Sequence, residues 1–135
     1  GAAAPVRTRR PSVSRRILLV DDNADIRTLA GISLEKVGGH EVRTADSGQA
    51  CLDLLSGWTP DVVVLDVKMP GMDGTEVLDR IRADEATSAV PVVFLTASLV
   101  PDEVERLRTL PVSGVMAKPF DPMTLPDELG TVLGW

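Results

Sequence analysis

The chain of 135 residues is long enough for one domain with a buried core, and 44% hydrophobic with 25% charged residues is ordinary globular composition. Aromatic residues make up only 3%, and the formal net charge is −6. This balance disfavours a nucleic-acid-binding protein, which needs a basic face or aromatic stacking platforms. No apolar run approaches the roughly 20 residues that span a bilayer, and Cys51 has no partner for a disulfide. We therefore expect a cytoplasmic protein without membrane insertion.

Residues 1–15 contain two prolines and four arginines without apolar periodicity, which predicts a disordered arm or linker. Residues 16–135 alternate apolar β-type runs with helical patterns, which predicts a single domain with a parallel sheet and crossover helices. Strands are expected at residues 16–20, 40–45, 62–65, 92–95 and 114–117.

Helices are expected to follow the capping residues Asn23, Ser47 and Asp73, with a fourth beginning near Pro101. The fifth is expected after Asp121, kinked or restarted at Pro126. In the first helix, residues at three- and four-residue spacings predict one buried, mainly apolar face, and Gly38 and Gly39 are expected to end the helix. That face contains Ile26, Leu29, Ala30, Ser33, Leu34 and Val37.

Five such units fit the flavodoxin-like, doubly wound α/β fold, a five-stranded parallel sheet in the order 2-1-3-4-5 with helices on both faces. Polar residues follow four of its strands at one edge: Asp21 and Asp22, then Asp66, then Thr96, then Lys118. Three carboxylates in one crevice repel each other, so they would either raise a carboxyl pKa or bind a cation such as Mg²⁺.

These residues, with the segments Asp66-Val-Lys-Met-Pro-Gly-Met-Asp-Gly74 and Lys118-Pro-Phe120, resemble the receiver domain of bacterial two-component response regulators. The resemblance implies a phosphorylation-dependent switch. A sensor histidine kinase or phosphotransfer protein would supply a phosphoryl group to Asp66, and a downstream effector would bind the face of helix 4, strand 5 and helix 5.

The resemblance also implies roles for individual residues. Direct Mg²⁺ ligands would be Asp22, Asp66 and the backbone carbonyl of Lys68, with Asp21 as a second-shell or water-mediated contact. Lys118 and Thr96 would contact phosphoryl oxygens.

The chain departs from the family pattern at Val115, where receivers commonly carry Tyr, Phe or His. We therefore expect a weaker or differently propagated change at the effector face. Lys68 and Ser98 should flank the phosphoryl group, and neither is a good base for positioning water. Lys68 would either cover the phosphoryl group and prolong its lifetime, or face solvent without effect.

Two other functions stay open. Haloacid-dehalogenase-type phosphatases also use a strand-end Asp with Mg²⁺, but they need a second Asp where this chain has Lys68. A receiver fold that binds partners without phosphorylation is the other alternative. We expect no turnover enzyme, and either a single-domain regulator or a receiver excised from a larger protein such as a hybrid kinase.

Overall fold

The computed structural model describes residues 13–135, in which five parallel strands alternate with five α-helices. The strands are β1 (Arg16–Val20), β2 (Glu41–Ala45), β3 (Val62–Asp66), β4 (Val92–Thr96) and β5 (Gly114–Ala117). The helices are α1 (Ala24–Ile32), α2 (Gly48–Leu55), α3 (Gly74–Ala83), α4 (Pro101–Arg108) and α5 (Leu125–Leu133). The predicted alternation is confirmed, with strand bounds within one residue of those expected.

The strand order is β2-β1-β3-β4-β5 and every pairing is parallel, as predicted. In the register of this sheet, Ile17 lies between Val42 and Val62, and Leu65 pairs with Phe94. Because parallel strands point the same way, the carboxyl ends of all five lie at one edge, where doubly wound sheets bind their ligands.

The hydrophobic core is divided by the sheet into two layers. Alternate strand residues such as Leu18 and Phe94 pack with α2, α3 and Leu107 of α4 on one face. Their neighbours Ile17 and Leu95 pack with α1 and α5 on the other. Strands β3 and β4 are buried along their whole length, which explains why their sequences are apolar, instead of alternating, up to the terminal Asp66 and Thr96.

The predicted capping residues start three helices. The side chain of Asn23 accepts hydrogen bonds from the N–H groups of Asp25 and Ile26. Ser47 and Asp73 make the corresponding bonds at the starts of α2 and α3. Each cap satisfies an N–H group that has no partner inside its helix, and so fixes where the helix leaves the site edge.

The prediction of which residues form the buried face of the first helix is partly wrong. Ala30 and Leu34 are buried, but Leu29 and Val37 are 44% and 45% exposed. The α-helical geometry ends at Ile32, and a π-helical turn follows over Ser33–Val37. Since a π-helical turn holds more residues than an α-helical one, Val37 leaves the period that placed it on the buried face. Leu29 lies at the edge of a stripe narrower than predicted.

The start of the last helix confirms the restart that Pro126 suggests. Residues 122–124 form a turn, in which the carboxylate of Asp121 accepts a hydrogen bond from the N–H of Met123. Helix α5 begins at Leu125, so Pro126 occupies the first helical turn. A proline there removes no helical hydrogen bond, because the N–H groups of the first turn have no partner inside the helix.

The predicted arm over residues 1–15 lies largely outside the described residues. Arg15, at its end, is joined to the domain by hydrogen bonds from its N–H to His40 and from the N–H of Glu41 to its carbonyl. Between residues 13 and 135, no helix is both long and apolar enough to cross a membrane.

Candidate functional site

Four of the five predicted strand-end side chains line one cleft at the carboxyl edge of the sheet. The cleft has a volume of about 580 Å³, and Asp21, Asp22, Asp66 and Lys118 contribute to its wall. Thr96, the fifth, ends β4 and is 3% exposed. It is not among the residues that line the cleft, although its loop continues into the wall.

Asp21 is fully buried, and each of its polar groups has a partner. One carboxylate oxygen accepts the N–H of Asn23 at 2.9 Å, and the other accepts from Nζ of Lys118 at 2.8 Å. Its backbone N–H donates to the carbonyl of Ala45 at 3.2 Å, and its carbonyl accepts from Arg27 at 2.7 Å. Asp21 therefore lines the cleft with both of its carboxylate oxygens already engaged by other groups of the protein.

Lys118 joins two acids across the sheet. Its Nζ lies 2.8 Å from Asp21 Oδ2 and 3.1 Å from Asp66 Oδ1. Its backbone N–H donates to the carbonyl of Thr96 at 2.8 Å, which holds the end of β5 against β4. Burial lowers the pKa of Lys118, but the bonds to Asp21 and Asp66 outweigh it and raise the pKa overall. The ammonium group therefore stays charged.

Asp66 is the last residue of β3 and is only 4% exposed. Burial raises its pKa from an ordinary 3.8 to about 6, and the nearby charges of Asp21 and Asp22 add to this rise. Lys118 opposes it by hydrogen bond and charge. At neutral pH the carboxylate is ionised although burial and the neighbouring acids disfavour its charge. It therefore readily accepts a cation or an electrophile.

The three acids can hold a metal ion. Carboxylate oxygens of Asp21, Asp22 and Asp66 all lie within 4.8 Å of one another. Asp22 is exposed, and Asp66 also faces the cleft. Carboxylate oxygens around a partly open site suit a hard dication that keeps several waters. The residues present therefore fit such an ion.

The β4–α4 connection begins with a hydrogen-bonded turn at Thr96. The Thr96 hydroxyl accepts the N–H of Ser98 at 3.0 Å, and the Ser98 hydroxyl accepts the N–H of Val100 at 3.2 Å. Ser98 lines the cleft, as does the exposed Lys68 on the β3–α3 connection. Both residues thus border the cleft that contains Asp66.

Comparison with known proteins identifies the family. The model of the response regulator receiver domain matches residues 17–129, which is most of the chain. The chain belongs to the response regulator receiver domain family. Its members generally act in signalling and not as turnover enzymes, and they interact with histidine kinases or phosphotransfer proteins. This receiver domain is a phosphorylation-dependent switch of two-component signalling.

Individual relatives agree with this assignment. The chemotaxis protein CheY-3 of Vibrio cholerae is 34% identical over 117 residues, which cover 87% of this chain and 90% of CheY-3. The phosphate regulon transcriptional regulatory protein PhoB of Pseudomonas aeruginosa is 34% identical over 90% of this chain and 52% of its own. The structure of CheY4 of Vibrio cholerae superposes with a TM-score of 0.80 at 31% identity, covering 89% of this chain and 99% of CheY4.

The structure adds residues to this receiver domain's site that the sequence analysis did not assign to it. Leu99 and Val100, just before α4, and Glu103, in its first turn, line the cleft. Leu99 is 85% exposed, which is unusual for a large apolar side chain. Arg27 reaches back from α1 to Asp21. Its place five residues after Asp22, in the first helix, was the only signal, and many helical arginines lie at such positions.

Proposed function

We propose that Asp66 is the phosphoacceptor of this receiver domain. The observation that carries the proposal is the position of its buried carboxylate, 3.1 Å from Lys118 and close to the carboxylates of Asp21 and Asp22. A nucleophilic carboxylate beside a fixed cation and a potential metal site is the arrangement that phosphoryl transfer requires.

The proposed reaction forms one bond and breaks one. A carboxylate oxygen of Asp66 attacks phosphorus, and the bond from phosphorus to the histidine nitrogen of the donor breaks, which leaves the electron pair on that nitrogen. Because Lys118 contacts Oδ1, we assign the attack to Oδ2. Lys118 then donates to a phosphoryl oxygen, where its charge offsets the negative charge that the group brings.

Thr96 is proposed to respond to phosphorylation of Asp66 by a hydrogen bond to the phosphoryl group. Its hydroxyl now accepts from the N–H of Ser98, so its own hydrogen is free to be donated to a phosphoryl oxygen. Rotation toward that oxygen would draw residues 97–100 inward. This movement would couple the covalent state of Asp66 to the surface around α4.

Mg²⁺ is the proposed cofactor, held by Asp22, Asp66 and the backbone carbonyl of Lys68, with Asp21 outside the direct ligands. When bound, it would neutralise carboxylate and phosphoryl charge. Support comes from the oxygen-only donor set and from the engagement of both Asp21 carboxylate oxygens by Asn23 and Lys118.

We further propose that the protein acts in the cytoplasm, with no nucleic-acid contact of its own and no turnover of an external substrate. The net charge of −6 supports the second point. Lys68 supports the third, because it occupies the position where a phosphatase of the related type needs an acid. The downstream effector is proposed to bind α4, β5 and α5.

The test is reaction of the protein with acetyl phosphate, followed by intact-mass measurement. We expect a single phosphoryl adduct that requires both Mg²⁺ and Asp66, and that is absent from Asp66→Asn and from samples with EDTA. Asp73→Asn, which changes an exposed carboxylate that caps α3, is the matched control and should still be phosphorylated. An adduct that persists in Asp66→Asn would contradict the proposal.

A further inference from the structure

Arg27 holds the peptide group that joins Asp21 and Asp22, the two adjacent acids of the cleft. Its Nη1 donates to the backbone oxygen of Asp21 at 2.7 Å. That oxygen belongs to the peptide group between Asp21 and Asp22, and peptide groups are planar. The bond therefore fixes the plane of that peptide and the direction in which the backbone enters Asp22.

Asp22 depends on this backbone for its orientation. Its side chain is exposed, and among the described residues none donates a hydrogen bond to its carboxylate. Asp21 differs, because Asn23 and Lys118 hold its carboxylate directly. A change in the Asp21–Asp22 peptide would thus move the Asp22 carboxylate while leaving that of Asp21 in place.

The turn that carries Arg27 is itself tied to the site. Asn23 caps α1 with its side chain, and its N–H donates to Asp21. The N–H of Arg27 donates to the carbonyl of Asn23 at 3.0 Å, closing the first helical turn. The half-buried Arg27 side chain therefore reaches back to Asp21 from a backbone that is already fixed.

We propose that Arg27 is a positioning residue that holds Asp22 in the orientation in which its carboxylate binds the divalent cation. The inference rests on the proposed Mg²⁺ site and deepens it. An arginine suits this role because its long, permanently charged side chain can place one N–H on a carbonyl oxygen six residues earlier, before the start of α1.

The test is the Mg²⁺ affinity of the whole chain, measured by calorimetry at pH 8, where Asp66 is ionised. Arg27→Met removes the donor but keeps an unbranched side chain, and we expect at least tenfold weaker binding, the effect of losing one charge-assisted hydrogen bond. Arg27→Lys keeps one charged donor and should recover part of the loss. Amide hydrogen exchange at Asp22 without Mg²⁺ should be faster in Arg27→Met, independently of metal.

Arg106→Met is the matched control, because it removes an exposed arginine of α4 with the same change in net charge. It should bind Mg²⁺ within twofold of wild type. Binding within twofold by Arg27→Met would overturn the role of Arg27. If Arg27→Met does not fold, Arg27→Gln replaces it in the test, because the amide nitrogen of Gln is two bonds closer to the backbone than Nη1 of Arg. A wild-type Mg²⁺ affinity in Arg27→Gln would also overturn the proposed role of Arg27.

A separate variant distinguishes this proposal from the site on which it rests. Asp22→Asn should bind Mg²⁺ much more weakly than wild type. If it does so while Arg27→Met binds normally, only the role of Arg27 fails. If Asp22→Asn binds as tightly as wild type, the proposed Mg²⁺ site fails, and the inference about Arg27 fails with it.

Discussion

Asp66 shows at the scale of one residue how the site keeps a reactive carboxylate. Burial and the charges of Asp21 and Asp22 disfavour its ionised form, while Lys118 favours it, and the balance leaves a pKa of about 6. A carboxylate held this way gains when a cation or a phosphoryl group arrives, because either partner takes up its charge. Reactivity and instability therefore have the same cause.

This balance predicts that Asp66→Asn stabilises the metal-free protein in a pH-dependent way. Asn resembles the protonated carboxyl group, so the two proteins should be similar near pH 3.5. As pH rises from about 4 to 6, unfolded wild type loses its Asp66 proton before the folded protein does, and its stability falls relative to the variant. The difference should reach up to about 3 kcal/mol and then stay constant.

Urea unfolding with EDTA between pH 3.5 and 8 measures this difference. Asp73→Asn is the control of opposite sign, because hydrogen bonds from Thr75 and Glu76 lower the pKa of Asp73. That variant should lose stability relative to wild type as pH rises. A pH-independent difference between Asp66→Asn and wild type would show that ionisation of Asp66 carries no cost.

Lys68 is expected to prolong the lifetime of the phosphorylated protein. The residue is exposed and lines the cleft, so its ammonium group can cover a phosphoryl group on Asp66. We expect Lys68→Asn to lose phosphate two- to fivefold faster, which corresponds to about 0.5–1 kcal/mol for a partly exposed charge pair. Lys36→Asn, a change at an exposed lysine of the π-helical turn, is the matched control for hydrolysis rates. Equal rates in all three proteins would remove the idea.

At the scale of elements, the site depends on how closely α3 approaches the end of β3. The N–H of Gly74 donates to the carbonyl of Val67 at 2.7 Å. A Cβ added at Gly74 would lie 2.4 Å from the backbone oxygen of Asp66 and 2.9 Å from Cα of Val67. These neighbours are backbone atoms and cannot rotate away. The absence of a side chain at Gly74 thus allows helix and strand end to meet.

Gly74→Ala should therefore destabilise the domain by roughly 1–3 kcal/mol and slow phosphorylation of Asp66, because the phosphoacceptor peptide must shift. Gly31→Ala in α1 is the matched control. A Cβ there meets nothing within 4 Å, and Ala is favoured over Gly inside helices by about 0.5–1 kcal/mol. Thermal unfolding and phosphorylation rates compare the two. Equal behaviour of both variants would contradict the backbone clash.

The α4–β5–α5 face is the second feature at this scale. Val115 pairs with Phe94 of β4 and packs against the first core layer, where receivers commonly carry a larger ring. Without a ring to swing inward, we expect any change at this face to travel through Thr96, the loop 97–100 and α4.

We therefore expect small amide chemical-shift changes on β5 and α5 after phosphorylation, with larger changes confined to residues 96–104. Comparison of ¹⁵N–¹H spectra of free and phosphorylated protein measures this, with Asp66→Asn under the same conditions as the control. Large shifts across β5 and α5 would contradict the expectation.

At the scale of the whole molecule, the cleft is lined by residues at the ends of four strands, β1, β3, β4 and β5, so a ligand bound there should stabilise the entire fold. Mg²⁺ at a hundred times its Kd adds about 2.7 kcal/mol, or roughly 10 °C in Tm for a domain of this size. We expect this rise at pH 8 and a smaller one at pH 5, where a proton on Asp66 competes with the metal. Thermal unfolding in Ca²⁺-free buffer, with and without Mg²⁺, measures this rise in Tm. An equal rise in Asp22→Asn would contradict the expectation.

The sequence by itself determined the sheet and the residues at its edge. Continuous apolar runs such as residues 62–65 are typical of strands that are buried on both faces of a parallel sheet with helices on each side. Capping residues at Asn23, Ser47 and Asp73 marked where helices begin, because a cap acts within a few residues of chain. Because parallel strands end at one edge of the sheet, strand direction then predicted that Asp21, Asp66 and Lys118 lie together.

Only the tertiary structure decided how those residues interact. The bond from Lys118 to Asp21 joins residues 97 positions apart, and the contact of Arg27 with the Asp21 carbonyl depends on a backbone orientation that no residue pattern encodes. The close approach of Gly38 to α5 is likewise a tertiary feature, since a Cβ at Gly38 would lie 2.9 Å from Cβ of Pro126. Local patterns determine elements because their forces act over a few residues, whereas side-chain partners depend on how distant elements pack.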